Sequence, residues 1–123
     1  EEQLWEELYG LGKTAGPLVF DDQYICTGGQ LYELVIGHDR FLADLRPMVF
    51  KKLRLKSALV CHPYDICTAL IAQEAGCVIE SPLGGELKDP LDTTSAVAWA
   101  GYANPTLARH IRPVLRRLIR QEL

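Results

Sequence analysis

Thiol, imidazole and carboxylate groups crowd into one short run of this chain, Cys61-His62-Pro63-Tyr64-Asp65-Ile66-Cys67. The side chain with most chemical leverage there is Asp65. From Ile66 onward the apolar residues Ile66, Ala69, Leu70 and Ala72 recur at helical spacing, and Gly76 stands where a left-handed C-cap belongs. The spacing predicts a helix opened by Asp65 as its N-cap. Such a carboxylate accepts bonds from orphan backbone N–H groups and faces the positive end of the helix dipole, so it stays ionised and oriented. Two roles fit that geometry: capping alone, or capping with an oxygen left over for a metal ion. A zinc site from Cys61, His62, Asp65 and Cys67 matches no common ligand spacing, because the helix carries Cys67 away from Asp65.

A second group is Thr27-Gly28-Gly29, placed just before a helical run that extends to Ile36. Backbone N–H groups at such a start can hold a phosphate oxygen or a hydroxyl, and a tight turn that needs small residues explains the same triplet. No Lys-Ser/Thr ending follows, so the motif is not a P-loop. Asp89-Pro90-Leu91-Asp92-Thr93-Thr94 reads as a turn in which Pro and Asp do ordinary turn work. Nucleophilic catalysis has no sequence support. The Gly-x-Ser-x-Gly elbow is missing, and the spacing of Cys26, Cys61, Cys67 and Cys77 to His38, His62 and His110 suggests no Cys–His pair.

These groups need elements to hold them. Leu4, Trp5, Leu8 and Leu11 fall at helical spacing, and strand candidates follow at Leu18-Val19-Phe20 and Tyr24-Ile25-Cys26. A strand is predicted over Arg40 to Leu45, stopped by Pro47. The basic stretch from Met48 to Ser57 then reads as a loop or edge segment, either simply solvated or drawing a phosphorylated substrate to Lys51, Lys52, Arg54 and Lys56. Asn104 and Pro105 announce the last helix as N-cap and first helical residue. Its buried stripe is Leu107, Ile111, Val114, Leu115, Leu118 and Ile119, with Pro113 expected to kink or divide it and the arginines from 109 to 120 expected to be solvated. Helices and strands alternate throughout, which predicts an α/β layered sandwich with a mixed sheet packed against helices.

A length of 123 residues holds one real core and not two, so residues 1–123 are read as a single α/β domain. A net charge of −3 argues against nucleic acid or an anionic membrane as partner. The four cysteines lie in apolar segments without a CxxC pair, which reads as reduced, mostly buried thiols and a cytoplasmic protein.

Taken in order, Tyr64-Asp65, Glu74-Ala75-Gly76, Cys77-Val78-Ile79-Glu80, Gly84-Gly85 and Val97 to Asn104 resemble the C-terminal part of the inositol-monophosphatase-like, magnesium-dependent phosphatases. Thr27 to Gly37 and Phe41 to Asp44 resemble that family's preceding small-residue turn, helix and strand. The resemblance covers roughly residues 18 to 112. It implies a magnesium site to which Asp65 contributes a ligand, and substrate contacts from Thr27, Gly28, Gly29 and Asp44 with an inositol or sugar phosphate. It assigns no catalytic residue within the chain. In the family the other ligands come from an N-terminal domain, through an earlier Glu and an Asp-Pro-x-Asp-Gly-Thr motif. Neither stands upstream of Thr27 here, and the motif-like Asp89 to Thr94 lies at a variable connection, with Thr93 in the place of Gly. The chain is therefore expected to be the C-terminal portion of a longer phosphatase, inactive alone, partnered by the missing N-terminal half and self-associating as a dimer. The alternative is a non-catalytic interaction or regulatory domain that keeps the phosphatase fold.

Overall fold

Period-two alternation along three short strands decides which side chains face which layer. In the computed structural model, which describes residues 2–10, 26–57 and 59–123, β1 (Phe41–Asp44), β2 (Val78–Glu80) and β3 (Trp99–Tyr102) form a sheet in the order β1-β3-β2. Both neighbours run antiparallel to β3, with Asp44 opposite Trp99 and Glu80 opposite Ala100. The mixed sheet expected from sequence is thus an antiparallel one among the described residues. The strand candidate at residues 18–20 lies outside them, as do the first two residues of the candidate at 24–26, whose last residue, Cys26, is in no strand.

Trp99 faces one side with Ile79, where α2 (Thr27–Val35) and α4 (Ala69–Glu74) supply Leu31, Leu34 and Ala72. Ala100 and Tyr102 face the other, against Leu4 of α1 (Glu2–Tyr9) and Ala108, Ile111, Leu115 and Ile119 of α5 (Pro105–Glu122). Burying each large aliphatic side chain there contributes roughly 1.5–3 kcal/mol. Helices therefore cover both faces of the sheet, as the α/β alternation predicts. None of the described helices is long and apolar enough to cross a membrane.

Gly101 at the middle of β3 lets α2 approach. A Cβ there would lie 2.6 Å from Leu34 Cδ1 and 2.8 Å from Trp99 Cζ3, well inside carbon contact distance. The helix that begins with Thr27 is seated by that missing side chain.

Two ends behave as their sequences predict. Asn104 Oδ1 accepts the Leu107 N–H at 2.9 Å, with Pro105 opening α5. At the end of α4, Gly76 has φ +100° while its N–H and that of Cys77 reach the carbonyls of Gln73 and Ala72 at 3.0 and 2.9 Å. That is a Schellman closure.

Four expectations need correction. The first helical turn after Asp65 does not form: α4 begins at Ala69 behind Thr68, and Asp65 is not its N-cap. The N–H groups of Asp65 and Ile66 instead share the His62 carbonyl at 2.9 and 3.3 Å, and the Asp65 carboxylate turns back to the His62 N–H at 2.8 Å. Pro47 does not stop the chain in a loop. It sits in the first turn of α3 (Arg46–Leu53), because proline's fixed φ and missing N–H suit a helix start as well as a strand end; the basic stretch is largely this helix, closed by Arg54 at φ 55°. α5 runs undivided through Pro113, since its apolar stripe along the sheet offsets the lost bond to the Arg109 carbonyl. Finally, Arg112 is not a solvated arginine. Its guanidinium grips the buried Glu80 carboxylate through two bonds of 2.6 and 2.9 Å. The cysteines divide evenly, Cys61 and Cys77 buried, Cys26 and Cys67 exposed.

Candidate functional site

Two segments distant in sequence meet the turn that carries Cys61 and, four residues on, Asp65. The strand β1 delivers Asp44, the start of α2 delivers Thr27, and the turn preceding α4 delivers Asp65. Cys61 is fixed between them by its backbone: its carbonyl accepts the Val97 N–H at 2.8 Å, and its N–H donates to Asp44 Oδ2 at 3.3 Å. Burial pushes the thiol up to about 11, the Thr27 hydroxyl bonds to it and lowers that effect, and the Asp65 and Asp44 charges raise it again. At neutral pH Cys61 is therefore a protonated filler and not a nucleophile.

Asp44 is held hard. Its Oδ1 accepts Arg46 N–H and Nε at 3.1 and 2.8 Å, and its Oδ2 accepts Arg46 Nη2 at 2.7 Å besides Cys61. With only 4% of the residue exposed, its four acceptor directions are filled by the protein. The carboxylate that sequence assigned to a substrate hydroxyl joins β1, α3 and the Cys61 segment.

Asp65 differs. Its side chain is 31% exposed, and Oδ2 accepts the His62 N–H at 2.8 Å with His62 Nδ1 at 3.4 Å. The His62 ring is stacked on Tyr64, with centroids 5.2 Å apart. The hydrogen bonds that hold this carboxylate thus come from its own turn, and the side chain stays partly open to solvent.

The glycine pair completes the picture. Cys26 is the N-cap of α2, its Sγ accepting the Gly29 N–H at 3.4 Å, and Thr27 is buried behind it. Gly28 and Gly29 lie inside the first helical turn at negative φ, so the conformation does not demand glycine. Among the described residues a Cβ on either would meet only the Cys26 sulfur, at 4.0 and 3.7 Å. The triplet is thus the first turn of α2 itself and not a turn ahead of the helix.

Asp92 does turn work: its carboxylate accepts Thr94 N–H at 2.9 Å and Ser95 N–H and Oγ at 2.6 Å, bonds that lower its pKa below the usual carboxylate range. Asp89 and Lys51 line an open cavity of about 580 Å³ between α3 and the loop after β2, together with Met48, Leu83 and Ala98. That cavity includes none of Thr27, Asp44 or Asp65. Among the described residues no three His, Cys, Asp or Glu side chains are grouped to hold a metal ion.

Sequence reasoning missed Cys61 as the point of convergence and Arg46 as the partner of Asp44. A signal for the second existed, an Arg two residues after a strand-terminal Asp and beside a helix-opening Pro. No family model, curated protein or solved structure matches this chain.

Proposed function

We infer that this chain is the C-terminal domain of a magnesium-dependent phosphatase acting on inositol or sugar phosphate monoesters, inactive by itself and completed by an N-terminal half. The observation that carries the reading is the meeting of Thr27, at the start of α2, with the turn from Cys61 to Asp65, where the Asp65 side chain stays 31% exposed. Magnesium takes six oxygen ligands, usually one or two carboxylates with waters and substrate oxygens. The partly exposed Asp65 carboxylate would supply one of those positions, and in this reading the remaining carboxylates come from an N-terminal half. Bound there, magnesium would supply an activated water and charge stabilisation at the leaving oxygen. This chain's part is to orient the Asp65 carboxylate through the His62 N–H and to offer the α2 start to phosphate or hydroxyl oxygens. Asp44 enters the reading as the brace of that wall and not as a hydroxyl acceptor.

The test is magnesium-dependent phosphate release from a panel of inositol and sugar phosphates by the natural full-length product, wild type against Asp65→Asn. The reading expects release that falls at least about 100-fold in the variant, the upper range for losing even an outer-sphere partner of a metal ligand. No release, or release indifferent to Asp65→Asn, refutes it. The non-catalytic domain then takes its place, a reading favoured by one observation: all four acceptor directions of Asp44 are already engaged.

A further inference from the structure

The last turn of α3 and the segment behind it expose leucines and cations together. Leu53, Leu55 and Leu59 are 57, 56 and 90% exposed, and Leu59 stands in the left-handed region at φ 53°, a conformation that crowds the Cβ of any residue but glycine. Lys51, Lys52, Arg54 and Lys56 are interleaved with them, all exposed. Residues 51–56 thus hold four of the chain's 13 lysines and arginines and none of its 16 aspartates and glutamates. Among the described residues Lys51, Arg54 and Lys56 make no ion pair, and Lys52 Nζ donates to the backbone carbonyl of Glu122. A net charge of −3 weighs against an anionic surface only where the cations are spread out. Here they are gathered at one corner.

We propose that this corner docks on the headgroup surface of an anionic lipid bilayer, with the leucines entering the acyl boundary and the cations meeting lipid phosphates and carboxylates. Charge selects an acidic partner, and shape selects a bilayer over an acidic polypeptide. The three leucines line no groove in which an acidic helix could lie, since the open cavity beside α3 takes in Lys51 and none of them. Protruding leucines suit a fluid surface, which needs no matching contour, and the lysine and arginine stems can lie along its apolar layer while their charged ends stay among the headgroups. Membrane anchoring takes two signals, one apolar and one basic, and residues 51–59 carry both. Because none of the described helices is long and apolar enough to cross a membrane, the contact is peripheral and reversible. The proposal stands apart from the phosphatase reading, because lipid binding requires neither metal nor substrate and its test measures no phosphate release.

The test is co-sedimentation of the chain with large vesicles of phosphatidylcholine containing about 30% phosphatidylserine, at about 0.1 M salt, where charges still act over about 10 Å. Wild type should bind these vesicles and leave vesicles of phosphatidylcholine alone in the pellet without it. Lys51→Gln combined with Lys56→Gln should weaken the partition about 25-fold, from two charges at about fivefold each, and Leu59→Gln should weaken it about tenfold through the lost apolar insertion. All three side chains are exposed, so these variants keep the fold. Leu91→Gln, at a 99% exposed leucine in the Asp92 loop, should bind like wild type. No binding to the anionic vesicles, binding indifferent to both the lysine and the Leu59 variants, or capture by soluble poly-glutamate without binding to vesicles overturns the proposal.

Discussion

One substitution, glycine to alanine, should act with opposite sign at two positions of this fold. At Gly101 the added Cβ would stand 2.6 Å from Leu34 Cδ1, 2.8 Å from Trp99 Cζ3 and 3.1 Å from Ile79 Cδ1. Carbon atoms rest at about 3.5–4.0 Å, so all three neighbours must retreat by up to about 1 Å. Leu34 and Trp99 are 1% and 0% exposed and have nowhere to go. Overpacking of a full core costs about 1–3 kcal/mol, and three simultaneous contacts place Gly101→Ala at the upper end, about 3 kcal/mol. For a chain of this length that is a fall in Tm of roughly 10 °C. Among the described residues Gly29→Ala meets only the Cys26 sulfur, at 3.7 Å, in a backbone any residue adopts, and it should stabilise by about 0.5–1 kcal/mol through helix propensity and the unfolded chain. Urea unfolding followed by far-UV circular dichroism measures both. Leu34→Ala alone should cost about 2–5 kcal/mol, and combined with Gly101→Ala the total should fall short of the sum by about 1 kcal/mol or more, since the smaller side chain yields the space. Gly101→Ala within about 0.5 kcal/mol of wild type, or strict additivity with Leu34→Ala, would refute the account of how α2 is seated.

Three further outcomes follow from the same contacts. Arg112→Ala strands the Glu80 carboxylate, 7% exposed, and should cost about 2–3 kcal/mol in equilibrium unfolding; this lies below the usual loss for a buried pair because the arginine side chain is itself 29% exposed. With a thiol reagent at about pH 8, below the range where an ordinary cysteine is fully ionised, the exposed Cys26 and Cys67 should react quickly, and the buried Cys61 and Cys77 only as fast as the chain opens. Four equally fast thiols would contradict the burial of Cys61. Asp92 is held below its ordinary pKa by bonds from Ser95 and Thr94, so its contribution is present above the ordinary carboxylate range and lost as pH falls through the depressed value. Asp92→Asn should therefore flatten the acid limb of the stability curve below about pH 4, read by urea titration.

Local chemistry was legible where neighbours in sequence settle it. Asn104-Pro105, the Gly76 closure and the period of Ile111, Leu115 and Ile119 were all readable because a cap, a left-handed residue and a helical stripe involve bonds spanning three to five residues. Pro47 was ambiguous for a physical reason, since its fixed φ serves a strand end and a helix start alike. The start of α4 was misplaced because His62 offers its N–H to Asp65 from the opposite direction, a competition between two short-range bonds that residue types alone do not decide.

Glu80 and Arg112 show the boundary most clearly. They are 32 residues apart, and only the stacking of α5 on β2 and β3 turns an arginine on an apparently wet helix into the partner of a buried carboxylate. The candidate site divides the same way. Sequence by itself determined that Thr27, Asp44 and Asp65 carry suitable chemistry and that small residues open the helix after Cys26. Tertiary structure decided that the Thr27 and Asp44 segments meet the turn at Cys61, that Asp44 is used up by Arg46 and the Cys61 N–H, and that Asp65 stays partly exposed. Residue type sets what a group can bond. Which of its bonds are already taken depends on the donors that the folded chain brings within 3 Å, and those arrive from segments that no local pattern connects.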